Sequence, residues 1–146
     1  MRNKLIATLI ALPLLAISLV ASAADMSSPV GRWKTFDEET GKARSIVEVS
    51  QAANGTLTGK VVEVLYAVNP VCDLCSGANK NKPIKGMTIL WGLKKDGKAW
   101  SGGTVLKPSA GKTYKAKAEL IDGGKKFQVS GCISFLCKHQ EWTREP

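Results

Sequence analysis

The sequence predicts an all-β fold: eight antiparallel strands in simple succession, closed as an up-and-down barrel. Short runs of alternating or β-branched residues recur about every dozen residues between Gly31 and Arg144. Explicit turn signals separate most of these runs, and no sustained helical period occurs among them. Closure into a barrel leaves no free strand edge; an open two-sheet sandwich is the alternative.

Residues 1–24 stand apart from this pattern. Arg2 and Lys4 precede an apolar run that ends in Ala21-Ser22-Ala23-Ala24, and this order is typical of a cleavable secretory signal peptide. A retained membrane anchor is disfavoured, because no stop-transfer pattern follows. We therefore expect a signal peptide over 1–24, a single β-barrel domain over 25–146, a periplasmic location and no transmembrane segment after cleavage.

The first three predicted strands are Gly31–Phe36, Ala43–Gln51 and Thr56–Tyr66. Thr40-Gly41 and Asn54-Gly55 separate them and supply residues that tolerate a positive φ, as hairpin turns require. A longer segment, Ala67–Gly86, follows the third strand. Loops of this length are usually lids or binding loops. The alternative is a pinned surface loop, one that contacts with the barrel hold in place and that has no binding role.

The remaining predicted strands are Met87–Lys94, Ala99–Leu106, Thr113–Leu120, Lys125–Cys132 and Lys138–Arg144. Asp96-Gly97 marks a two-residue turn, which predicts that Trp91 pairs with Gly102 and Leu93 with Trp100. In that register the indole of Trp91 would cover bare glycine backbone on an apolar inner face. The lysines of the sixth strand would then face outward, opposite small inner residues.

Charge and motif content exclude several classes of function. The chain has 146 residues and a formal net charge of +9, which falls to +7 without Arg2 and Lys4. The lysines are not interleaved with aromatic residues, so we expect no nucleic-acid partner. The simplest interpretation of the positive charge is a solvated outer face of the barrel. The functional alternative is weak attraction to anionic lipid head groups or cell-wall polymers. Because His139 is the sole histidine and no catalytic or nucleotide-binding motif is present, we predict no enzyme, no catalytic residue, no metal and no cofactor.

Trp33 and Arg144 are predicted to form the barrel floor. Gly31-Arg32-Trp33 opens the first strand and Trp142-Thr143-Arg144 closes the eighth, and in an eight-stranded meander both lie at the same end. Trp33 would plug that end while Arg144 stacks over its ring. The pair resembles the G-x-W and terminal arginine of the calycin superfamily, which includes the lipocalins.

A second resemblance covers the whole mature chain. Its motifs are Lys82-Pro83-Ile84-Lys85-Gly86-Met87, Trp100-Ser101-Gly102-Gly103, Gly111-Lys112-Thr113-Tyr114 and Gln140-Glu141-Trp142-Thr143-Arg144. They are similar to a family of small exported bacterial proteins known as domain of unknown function 2147. This resemblance implies an exported, β-barrel-like domain with no assigned reaction or ligand.

Four cysteines, Cys72, Cys75, Cys132 and Cys137, are predicted to form two disulfides, as is usual in a small exported domain. Local pairing within each neighbouring pair is favoured, because a hairpin brings Cys132 and Cys137 within bridging range. Cross-pairing, which would staple the long loop across the barrel mouth, stays open. A redox-active CxxC and a zinc site are less favoured interpretations.

We expect the barrel to bind a small, mainly apolar ligand. The predicted inner face is apolar, and the turn Ile133-Ser134-Phe135-Leu136 puts apolar side chains at the mouth, where they must pack, bind or associate. The predicted ligand contacts are Trp91, Trp100, Tyr114, Phe127 and Phe135. A structural or interaction module of the cell envelope with a packed lumen is one alternative, and a CxxC thiol–disulfide protein is another. An envelope component is the alternative partner, and the sequence carries no prediction of oligomeric state.

Overall fold

A closed antiparallel barrel of eight strands forms the domain, in a computed structural model that describes residues 23–146. The strands are β1 (Gly31–Phe36), β2 (Ala43–Gln51), β3 (Leu57–Val64), β4 (Thr88–Asp96), β5 (Ala99–Lys107), β6 (Lys112–Ile121), β7 (Lys126–Ile133) and β8 (Leu136–Arg144). Each strand pairs with its neighbours in sequence, and β1 pairs with β8 to close the ring. The predicted eight-stranded up-and-down barrel is confirmed.

The predicted signal peptide lies outside the described residues, except for its last two positions. Within residues 23–146, no helix has the length and apolar character needed to cross a membrane.

The predicted register of the β4–β5 hairpin is wrong by one position at the turn. Asp96 pairs with Ala99, so Gly97 and Lys98 form the two-residue turn. Gly97 has a φ of 62°, and a type II′ turn needs a positive φ at its first central position, where glycine is favoured. The turn therefore forms where its glycine fits best.

Two further glycines, one on β4 and one on β5, interrupt the alternation of inward-facing and outward-facing side chains. Gly92 and Gly102 have φ values of 71° and 72°, and the β5–β6 register shifts between Trp100 and Gly103. A positive φ at a bulge turns the chain and changes which side chains face inward. Trp91 pairs with Thr104 and not with the predicted Gly102, because the β4–β5 ladder keeps the register that the Gly97-Lys98 turn sets.

The barrel has two distinct ends. The floor end holds the segment before β1 and the β2–β3, β4–β5 and β6–β7 turns, and the mouth end holds the other four connections. Both cysteine pairs lie at the mouth end. The largest fully buried side chains are Trp33, Trp142, Phe127, Leu57, Leu90, Leu93, Val47, Val49 and Val61.

Glycines on the inner face make room for neighbouring side chains. A Cβ atom at Gly103 would lie 2.7 Å from Cγ of Leu93, and one at Gly131 would lie 3.2 Å from Cβ of Tyr114. Both distances are shorter than van der Waals contact. The space over these glycines is therefore occupied by side chains of the barrel itself.

The β3–β4 loop, residues 65–87, folds back on itself as a small hairpin. Val71 forms an isolated bridge with Pro83, and the Cys72 N–H donates to the Lys82 carbonyl oxygen at 2.8 Å. The loop also packs closely on the β5–β6 turn, since a Cβ at Gly111 would lie 1.9 Å from the Leu74 carbonyl oxygen. These contacts match the pinned-loop alternative.

Candidate functional site

An aromatic cluster fills the floor half of the barrel. The ring centroids of Trp33 and Phe127 are 5.3 Å apart, and Phe127 lies edge-on to Trp100 and Trp142 at 6.1 Å each. All four side chains are buried, in the tilted and edge-to-face arrangements that aromatic rings favour. A ligand could enter this half only by displacing the cluster.

Arg144 covers the cluster from the floor end. Its guanidinium carbon lies 4.3 Å from the centroid of the Trp33 ring, within cation–π range. Its N–H groups donate to the carbonyl oxygens of Gly124 at 2.9 Å and Ser28 at 2.8 Å. Burial lowers the pKa of this guanidinium, which nevertheless stays charged, as arginine does in proteins.

The segment before β1 is thereby tied under the floor. Trp33 Nε1 donates to the carbonyl oxygen of Pro29 at 2.8 Å, and a Cβ at Gly124 would lie 1.9 Å from the Met26 carbonyl oxygen. Trp33 and Arg144, the predicted floor residues, are thus brought together and also hold the chain that precedes β1.

Trp100 and Phe127, two predicted ligand contacts, belong to this closed cluster. Trp91, a third, lies on the outer face, because its neighbour Leu90 and the next apolar residue Leu93 occupy the interior. Trp91 lines a surface groove of about 540 Å³ with Lys82, Lys85 and others. The expected interior position of Trp91 is therefore wrong, and the bulge at Gly92 is the cause. The five predicted contacts do not form one site.

Tyr114, the fourth predicted ligand contact, faces the interior near the mouth. Val105 and Tyr114 pair across β5 and β6, and both approach the Cβ position of Gly131, at 3.4 Å and 3.2 Å. Both remain half-buried, whereas Phe127 and Val47 deeper in the barrel are 0% exposed. Burial therefore increases along the interior from the mouth toward the floor.

Glu38 bridges the mouth from the β1–β2 turn. Its carboxylate accepts hydrogen bonds from Nζ of Lys107, at 3.1 Å, and from Nε2 of Gln140. Because β1 and β5 are four strands apart in a ring of eight, the ion pair spans the opening. We call Glu38, Lys107 and Gln140 the mouth network.

The electrostatics of the mouth network favour an ionised carboxylate. The hydrogen bond from Gln140, followed by the hydrogen bond and charge of Lys107, holds the pKa of Glu38 below its usual range. The Gln140 side-chain oxygen accepts a bond from Nε1 of Trp142 at 3.2 Å, which orients the amide so that its NH2 group points at Glu38. The network is thus anchored on the aromatic cluster below it.

Sequence reasoning missed the mouth network. Glu38 and Gln140 are 102 positions apart, so no local pattern links them. A signal was present on β8, where Gln140 shares the parity of the buried Trp142, and a partly buried polar side chain needs a hydrogen-bond partner.

The cysteines form two local pairs, Cys72–Cys75 and Cys132–Cys137, with Cα atoms 5.3 Å and 4.0 Å apart. The favoured local pairing is confirmed. Cysteines bonded in this way are not thiolate ligands for zinc. Cys72 and Cys75 are only 1% and 4% exposed, and a redox-active pair needs an accessible sulfur, so the burial of this CxxC does not favour thiol–disulfide exchange.

Phe135, the fifth predicted contact, projects from the mouth rim. It is 88% exposed, and its neighbours Ile133 and Leu136 are 67% and 69% exposed. Ile133 pairs with Leu136, so Ser134 and Phe135 form the β7–β8 turn. Phe135 therefore lies outside the interior and offers an apolar surface to a partner.

Comparisons with known proteins agree with this fold. The structure is similar to that of protein HP1028 from the human pathogen Helicobacter pylori, which is described as belonging to the lipocalin family, with a TM-score of 0.68 and 20% sequence identity over 80% of this chain and 82% of that one. No curated protein matches the sequence. The model of DUF2147, an uncharacterized protein family conserved in bacteria, matches residues 31–144, which span all eight strands. With its lipocalin-like barrel, the chain belongs to the DUF2147 family.

Proposed function

We propose that this protein binds a small amphipathic carboxylate at the mouth of its barrel. The mouth network carries the proposal, because a carboxylate of the protein itself, that of Glu38, already occupies a lysine and an amide donor at the mouth of the barrel. A ligand carboxylate that displaced Glu38 would find the same two donors. A lipocalin-like barrel is compatible with such a ligand.

The donor chemistry favours an anionic head group. Lys107 supplies a charge-assisted hydrogen bond, which is stronger than a neutral one, and Lys138 adds a further positive charge near Glu38. Exchanging one carboxylate for another keeps the partly exposed Lys107 paired with an anion. A neutral or cationic head group would leave Lys107 without its anion.

The apolar contacts favour a short tail. Val105 and Tyr114 offer half-buried surface at the same end of the barrel as the mouth network, and Ala116 lies below Tyr114 on the same face of β6. The aromatic cluster limits the depth of the site. Tyr114 keeps its predicted role in this proposal, Trp100 and Phe127 form the base beneath the ligand, and Phe135 stands at the entrance.

The test compares Glu38→Gln with the unmodified protein by isothermal titration calorimetry, using octanoate and dodecanoate as probes. Removing the competing carboxylate should tighten binding about tenfold, since hydrogen bonds to charged groups contribute about 1.5–3 kcal/mol. Lys107→Met should weaken binding by a similar factor. Glu39→Gln is the matched control, because Glu39 lies in the same turn, carries the same charge and is exposed.

Two results would contradict the carboxylate proposal. The first is equal affinity for dodecanol and dodecanoate, which would show that the head group is not recognised. The second is the same affinity in Glu38→Gln and Glu39→Gln, which would place the ligand away from the mouth network.

The buried aromatic cluster favours a second candidate, an envelope module with a packed interior. This candidate predicts that no carboxylate binds to any of these variants. It also predicts that native mass spectrometry of protein recovered from the cell envelope shows the mass of the polypeptide alone.

Export to the periplasm is part of the proposal. The two disulfides support it, because such bonds persist in oxidising compartments, and so does the leader-like pattern of residues 1–24. Intact-mass measurement of protein from a periplasmic extract should give a chain that begins at Asp25. A chain that retains residues 1–24 would contradict cleavage.

A further inference from the structure

We infer that the mouth end of the barrel docks on an anionic lipid surface through the β7–β8 tip, defined as Ile133, Phe135 and Leu136. The inference does not depend on ligand binding inside the barrel. It rests on the exposure of these side chains, the rigidity of the hairpin that carries them and the lysines around it.

The tip exposes large apolar side chains to an unusual extent. Phe135, Leu136 and Ile133 are 88%, 69% and 67% exposed and lie around one turn. Large exposed apolar groups in a cluster generally mark a protein or membrane contact, whereas single ones need no explanation. An aromatic residue flanked by aliphatic residues on a protruding turn suits insertion into the interface of a bilayer.

The hairpin beneath the tip is held rigidly. Cys132 and Cys137 are directly opposite each other in the β7–β8 ladder and are bonded. The disulfide therefore lies one residue below Ile133 and Leu136. A rigid hairpin loses little conformational entropy when its tip enters a partner, so more of the burial energy appears as affinity.

Lysines surround the tip. Lys115 lies opposite Cys132 across β6 and β7, and Lys138 lies opposite Gly131 across β7 and β8. Lys112 begins β6 at the same end. All three are exposed, and none forms a salt bridge with a carboxylate in the described part of the chain. Basic residues near an anionic leaflet each add attraction.

A second protrusion at the mouth end, the β3–β4 loop, also exposes apolar side chains close to lysines. The β3–β4 loop exposes Val68 by 93% and Leu74 by 59%, and Lys80, Lys82 and Lys85 follow in the same loop, all of them exposed. At the floor end, the exposed large apolar residues among residues 23–146 are Met26 and Val30, at 38% and 43%. The mouth end is therefore the more apolar face.

Charge distinguishes a lipid surface from a second copy of the chain. A symmetric dimer through the tip would bring the lysines of one copy against those of the other, and like charges oppose such an interface. An anionic bilayer neutralises the same lysines while it accepts the apolar side chains. The observations thus favour the bilayer.

The experiment is vesicle flotation of the protein expressed from its full-length sequence. Phosphatidylglycerol-containing vesicles should bind it, and phosphatidylcholine vesicles should bind it far more weakly. Phe135→Asp should reduce binding to the anionic vesicles at least about tenfold, and Lys138→Glu about fivefold or more. Raising the salt concentration should weaken the lysine contribution, because salt screens exposed charges.

Val30→Asp is the matched control, since it puts the same carboxylate on an exposed apolar position at the floor end. It should leave binding unchanged. Because Phe135 is 88% exposed, Phe135→Asp should keep the near-ultraviolet circular dichroism of the folded protein. Equal flotation of Phe135→Asp and Val30→Asp would overturn the inference, as would failure of the unmodified protein to bind anionic vesicles. A dimer in light scattering that Phe135→Asp dissolves, without vesicle binding, would replace the bilayer with a second copy.

Discussion

At the scale of single residues, Trp33 has the largest structural role. It is fully buried, contacts the Phe127 ring, accepts the Arg144 guanidinium over its face and donates to the Pro29 carbonyl oxygen. One side chain thereby joins the core, the last strand and the segment before β1. Sequence reasoning found it because G-x-W and the terminal arginine are local motifs whose meeting follows from strand parity.

Trp33→Ala should lower the free energy of unfolding by about 3–5 kcal/mol, the usual cost of truncating a large buried aromatic residue. Urea denaturation followed by circular dichroism gives the value. Trp91→Ala is the control, since Trp91 is half-buried on the outer face and should cost less than half as much. A loss below about 1 kcal/mol for Trp33→Ala would contradict the central role of Trp33 in the barrel floor.

At the scale of elements, local turn chemistry determined most of what could be predicted. β1 and β2 have the predicted bounds, because glycines with a positive φ mark the ends of the hairpins. The β4–β5 register could not be predicted, since Asp96-Gly97 and Gly97-Lys98 are both plausible turns. The bulges at Gly92 and Gly102 depend on packing across strands and carry no local signal that distinguishes them from glycines in regular strands.

The β7–β8 turn differs from the other hairpin turns, because it contains no glycine and a serine occupies its positive-φ position. Ser134 has a φ of 55°, where a residue with a Cβ is disfavoured by about 1–2 kcal/mol and glycine is preferred. The Cys132–Cys137 disulfide and the ladder below hold the turn in place. A serine in this position explains why the sequence contains no turn signal between β7 and β8.

Ser134→Gly should raise the free energy of unfolding by about 0.5–1 kcal/mol, because relief of the Cβ strain exceeds the added entropy of the unfolded chain. Thermal denaturation under non-reducing conditions reports the change as a higher Tm. Ser134→Ala keeps the Cβ and should show no gain. Equal effects of glycine and alanine would mean that the backbone at this position is not strained.

At the scale of the whole molecule, the candidate site is built from distant segments. The mouth network joins the β1–β2 turn to β5 and β8, so it exists only when the barrel is closed. Strand parity placed Tyr114 inside correctly. The placement of Glu38 depends on how one turn folds over the opening, and neither composition nor alternation determines that.

The ionised Glu38 of the mouth network should make the stability of the folded protein depend on pH in the acidic range. Because the folded-state pKa of Glu38 is lowered, its contribution to stability is present above the ordinary glutamate pKa of about 4.3 and is lost as the pH falls through the folded-state value. Glu38→Gln should therefore lose less stability than the unmodified protein between about pH 6 and about pH 3. Urea denaturation at each pH measures the difference. Glu39→Gln should follow the unmodified protein, and a parallel loss in Glu38→Gln would exclude the carboxylate as a source of acid sensitivity.

The junction between β1 and β8 has a consequence for the order of folding. Its ladder consists of Trp33 with Arg144 and Lys34 with Thr143, whereas every other ladder joins strands adjacent in sequence. The local hairpins can form early, but this junction must wait for contact between segments at opposite ends of the domain. Until then the meander is an open sheet with two unpaired edges, which invites aggregation. The arginine that stacks on Trp33 therefore also completes the step that removes both edges.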